Sequence, residues 1–175
     1  TQDSFSQHEA KPVTDNFIEY KKYKEGQLSK TRTLLKELNQ KRRKPKADVK
    51  GILSQIDRLN NIEAKLKNDI DILNINSVDL MFHAVITDIE DLNKVLDDYN
   101  YTDNKYDVDD LKNRIEFLFK LIKGTDLDNN LTNNPSLREY NHPEFNKINT
   151  QVDELNTKYK EKLNDLNKIT EKLVQ

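Results

Sequence analysis

Residues 47–73 read ADVKGILSQIDRLNNIEAKLKNDIDIL. Val49, Ile52, Ile56, Leu59, Leu66, Ile70 and Leu73 recur in steps of three and four, with one gap at Glu63. That spacing puts every apolar residue on one stripe of an α-helix and predicts a heptad seam of nearly four repeats. Asn74-Ile75-Asn76-Ser77 ends the pattern, and Asn76 or Ser77 is suited to cap the next helix.

The same period extends in both directions. Upstream, Phe17, Leu28, Leu35 and Leu38 predict a helix over 15–40, with Thr14 or Asp15 as N-cap. Gly26 weakens its middle by about 1 kcal/mol relative to Ala. Lys21 and Lys24 interrupt the stripe, so the N-terminal half of this helix is expected to pack loosely. The turn 41–46 is short and forces the first two helices antiparallel. Downstream, Val78, Met81, Val85, Ile89, Leu92, Leu96 and Tyr99 mark a third helix, which Phe82, Ile86 and Val95 widen toward two neighbours. Asp107 caps a fourth, with Val108, Leu111, Ile115, Leu118 and Ile122 on its seam and Gly124 as its stop. Pro143 opens a fifth near His142, carried by Phe145, Ile148, Val152, Leu155, Tyr159, Leu166, Ile169 and Leu173, with a lapse at Lys162. The expectation is an all-α antiparallel bundle of four or five helices with coiled-coil-like packing. It forms a single domain over 15–175, preceded by a polar, frayed segment over 1–14.

Composition narrows the function classes. The chain has 175 residues, is 34% hydrophobic and 34% charged, and contains 3 Gly and no Cys. Without cysteine there is no disulfide, thiolate metal site or thiol nucleophile. Gly26, Gly51 and Gly124 are too scattered for a phosphate-cradling loop, and no HExxH or nucleophile-elbow pattern occurs. The uncharged apolar run from Leu80 to Thr87 falls far short of the ~20 residues a spanning helix needs. Membrane attachment is expected only through a removed anchor.

Candidate metal patterns are fragmentary. Glu139-x-x-His142 is half of a di-iron motif without its second half. Asp126-x-Asp128-x-Asn130 begins like a calcium loop, but Leu131 takes the glycine position and Leu137 the glutamate position. His83, four residues after Asp79 and beside Phe82, reads as a partly buried histidine at the core edge. No enzyme activity, metal or cofactor is expected.

Charge is unevenly laid out. Residues 11–50 carry 13 Lys+Arg against 5 Asp+Glu, whereas 51–140 carry 10 against 18. Lys41, Arg42, Arg43, Lys44 and Lys46 crowd the first interhelical turn. Such a cluster suits nucleic acid, a sulfated sugar or an import receptor. One short cluster in a slightly acidic chain disfavours nucleic-acid binding as the main role.

The stretch 125–141, rich in Asn and broken by Pro135, exceeds the ~12–15 residues beyond which structureless loops are uncommon. It carries Leu127, Leu131, Leu137 and Tyr140; the 100–106 connection carries Tyr101 and Tyr106. These six residues form the expected protein-contact surface, since loops carry function and tyrosine is common at interfaces.

With 21 Asn, 4 Ala and no Cys, the chain resembles in texture the helical surface proteins and lipoproteins of AT-rich microbes. It is similar in the same way to small helical subunits of multiprotein complexes. The first resemblance implies a secreted or surface-anchored protein that binds a host protein. The second implies a cytoplasmic or nuclear coiled-coil subunit whose basic turn meets nucleic acid or an import receptor.

Overall fold

The computed structural model of the chain describes residues 15–99 and 107–174. About 80% of the described residues are helical, in five α-helices and one 3-10 turn, with no named strand. These are α1 (Asp15–Lys41), α2 (Val49–Leu73), α3 (Val78–Asp98), α4 (Val108–Lys123), the 3-10 turn (Leu137–Tyr140) and α5 (Phe145–Val174). The described residues fall into two compact units, 15–77 and 78–174. The segment 1–14, with its expected fraying and the Thr14 cap, lies outside the described residues.

The first unit is an antiparallel helical hairpin. Leu35, Ile52, Ile56 and Leu59 form its buried cluster, edged by Leu38 and Ala47. Side-chain pairs fix the direction, because residue numbers fall on α2 as they rise on α1. Lys21 donates to Asn76 at 2.9 Å, Lys24 to Asp69 at 2.8 Å and Arg32 to Glu63 at 3.1 Å. The loose N-terminal half expected of α1 is not found. Phe17 and Tyr20 are fully buried, and the Lys24–Asp69 ion pair is buried on both sides. The seam is Phe17, Tyr20, Lys24, Leu28, Thr31 and Leu35, in steps of three and four; Lys24 pairs across it with Asp69, and the Thr31 hydroxyl donates to the Gln27 carbonyl of its own helix. Two positions on α2 also depart from the expected stripe. Val49 is exposed, and between the buried Leu66 and Leu73 it is Asp69 that is buried while Ile70 is half-buried.

The turn between these helices is ordered by its own backbone. Arg42 N–H reaches the Leu38 carbonyl at 3.0 Å, and Lys46 takes a left-handed φ of 65°. Asp48 then caps α2, accepting from Gly51 N–H at 3.2 Å.

The second unit packs α3, α4 and α5 around a core led by Val85, Ile89, Leu92, Ile115, Leu118 and Ile148. Asp79 contacts His142 and Asp97 accepts from Lys158, so α3 and α5 run parallel. Lys123, at the end of α4, donates to Asn149 and Asp153 near the start of α5. Tyr159, further along α5, feels the charge of Asp109 at the start of α4, so α4 runs against α5. Gly124 ends α4 at φ 72°, a conformation that suits glycine because it has no Cβ. A residue there would also place Cβ 3.2 Å from the Asn134 carbonyl oxygen.

Candidate functional site

The long connection after α4 is a built structure. Thr125 and Leu131 form an isolated antiparallel bridge, and Thr132 N–H donates to the Gly124 carbonyl at 2.9 Å. At the tip, Asp126 Oδ1 accepts from the backbone N–H of Asp128 and of Asn130, each at 2.9 Å, and its Oδ2 accepts from the Asn130 side chain. These bonds, the Asn130 backbone N–H foremost, hold the Asp126 carboxyl below the usual carboxylate range. Asn129 takes φ 65° to close the turn, a conformation Asn tolerates better than most residues.

The six residues expected to make the protein contact divide three ways. Leu131 is 89% exposed at the shoulder of this loop, and Leu127 is half-buried. Leu137 and Tyr140 are buried and so are not a contact surface. They lie three apart on the 3-10 turn and plug the end of the core, where the Tyr140 ring meets Phe82 edge-on at 6.4 Å. Burying them lowers the free energy more than exposing them on a loop would. Tyr101 and Tyr106 lie outside the described residues.

His83 is not the partly buried histidine expected at the core edge. His83 is exposed, because it lies on the outward side of α3 between the buried Phe82 and Ala84. Asp79 pairs instead with His142, 63 residues away, at 2.5 Å. The His142 ring stacks on Phe82 with centroids 4.1 Å apart. Its Nδ1 accepts from Glu144 N–H at 3.1 Å, so His142 caps the start of α5 with Nε2 facing Asp79. Both ring nitrogens are thus engaged, one with Asp79 and one with the Glu144 N–H. Among the described residues no group of three or more His, Asp or Glu is arranged to hold a metal ion. The signal for this cap was the His-Pro step itself, read as a helix start without a role for the ring.

At the other end of the second unit, Leu96, Tyr99, Val108, Leu111, Tyr159 and Leu163 line an apolar recess of about 10 Å³, the size of one water. Burial pushes the Tyr99 and Tyr159 hydroxyls up, and for Tyr159 the Asp109 charge adds to it.

The basic turn is displayed as its sequence suggests. Lys41, Arg42, Arg43, Lys44 and Lys46 are all exposed, and none forms an ion pair among the described residues. No described helix is long and apolar enough to cross a membrane. Comparison with protein families, curated proteins and solved structures finds no match to the chain.

Proposed function

We propose that the chain is a non-enzymatic protein-binding module, a secreted or surface-anchored protein that takes a host protein as partner through the loop 124–131. The observation that carries this reading is the exposure of Leu131 on a loop already ordered by its own hydrogen bonds. An apolar group held on a fixed loop binds without the ordering cost a flexible loop would incur. Leu137 and Tyr140 serve as the anchors that hold the loop to the core, with Arg138 over the Phe145 ring at 4.7 Å between them.

Immobilised wild type and a Leu131→Asp variant, both verified as folded by circular dichroism, are exposed to host plasma and to cell lysate. A protein retained by the wild type and reduced at least tenfold on the variant supports the loop. Identical capture by both proteins moves the contact elsewhere.

A second reading, an intracellular coiled-coil subunit, is favoured by α5. Its last fifteen residues run past the pairing of Asp97 with Lys158, keeping Leu163 and Leu166 half-buried and Leu173 82% exposed. A signal peptide or lipid-attachment cysteine encoded upstream of Thr1 favours the first reading; continued heptads favour the second.

A further inference from the structure

The hairpin tip carries more charge than the fold requires. Cations in the last turn of a helix stabilise its carbonyl end. That accounts for Lys41 in the last turn of α1, but not for five cations in six positions. The rest repel one another within a Debye length and have no acidic partner among the described residues. The turn is nonetheless ordered, by Arg42 N–H to Leu38, Lys44 N–H to Lys41 and Ala47 N–H to Lys44.

Two further features restrict what such a tip fits. Val49 and Leu53 follow the cations after Ala47 and the capping Asp48, share one face of α2 at i and i+4, and are 47% and 40% exposed. No aromatic residue occurs between Leu38 and Leu73 on which a base could stack. Exposed Glu37 and Asp57 stand behind the cations on the two helices, so a polyanion laid along the hairpin would meet like charge. An end-on contact with an extended anionic surface avoids them.

We infer that the α1–α2 tip docks end-on on an anionic lipid bilayer, with the five cations among the headgroups and Val49 and Leu53, on the first turns of α2 behind them, against the interfacial layer. Polybasic segments are drawn to anionic leaflets within a Debye length, and adjacent apolar side chains add a part of the binding that salt does not remove. This contact is independent of the loop 124–131.

The test is flotation of the full chain with vesicles of phosphatidylcholine alone or mixed with phosphatidylserine. Wild type should float with the mixed vesicles only. K41Q/R42Q/R43Q/K44Q/K46Q should lose at least tenfold in affinity. Val49→Ser with Leu53→Ser should weaken binding severalfold and make the remainder fully releasable by salt. All seven side chains are exposed, so folding is expected to survive and is checked by circular dichroism. Absence of wild-type flotation overturns the inference. So does an unaltered affinity of the serine pair, or heparin or duplex DNA binding the tip while mixed vesicles do not.

Discussion

Lys24 and Asp69 offer the sharpest test of how the hairpin is held. The ammonium and carboxylate are 2.8 Å apart, with side chains only 4% and 9% exposed. Removing one partner of such a pair leaves the other charge buried and uncompensated, at a cost of about 3–5 kcal/mol. Lys24→Met keeps most of the aliphatic stem, so the loss is chiefly that of the charge, including its place 5.5 Å over the Tyr20 ring. For a chain of this size each kcal/mol moves the melting temperature by about 2–4 °C, so Lys24→Met should melt roughly 10 °C lower. Asp69→Leu should do much the same. The double variant should recover to the wild-type value or above it, since apolar replacements of similar volume often match or exceed a buried ion pair. Thermal melts followed at 222 nm on the four proteins close the cycle and isolate the coupling. Arg32 and Glu63, 3.1 Å apart but with the Arg32 side chain half-exposed, provide the contrast: their cycle should yield about 0–1 kcal/mol. A Lys24→Met protein that melts within about 2 °C of wild type would refute the assignment of this pair as a buried element of the seam.

Ile56→Asp places an unpaired carboxylate among Leu35, Ile52 and Leu59 and should destabilise the hairpin by at least ~3 kcal/mol in urea titrations. Gly124→Ala forces a Cβ into the left-handed region beside the Asn134 carbonyl and should cost about 1–2 kcal/mol by the same measurement. The Asp126 carboxyl is held below its ordinary range by bonds from Asn130 and Asp128. Its contribution is therefore present above the ordinary value and lost only as pH falls through the lowered one. Amide NMR signals of Asp128 and Asn130 should stay unshifted while exposed carboxylates titrate, and move only at more acid pH.

The seams at Ile52, Ile56, Leu59 and at Val152, Leu155, Tyr159 were legible because burial on a helix follows period, and period is written in the chain. What hydropathy could not show is where a polar residue on a seam finds its partner. Lys24 read as a flaw in α1, yet Asp69, 45 residues on, turns it into a buried pair. Glu63, the gap in α2, meets Arg32 across the hairpin. The loop residues Leu137 and Tyr140 did carry a signal, the i, i+3 spacing of a 3-10 turn, masked by the Asn-rich stretch before them. His142 was out of reach for another reason, because its role depends on Phe82 and Asp79, distant in sequence and adjacent only once α3 lies parallel to α5. In a chain with only a third of its residues apolar, a lapse on a seam is thus better read as a request for a facing partner than as loose packing. Where the facing helix runs alongside, as at Lys24 and Glu63, the partner is there. At Lys162 the partners α3 and α4 have reached their ends, and the lapse borders the small recess beside Tyr99 and Val108 instead. The seam lapses therefore mark which stretches of helix are faced by another, and among the described residues it is only beyond Leu166, which still lines that recess, that α5 runs on to the exposed Leu173.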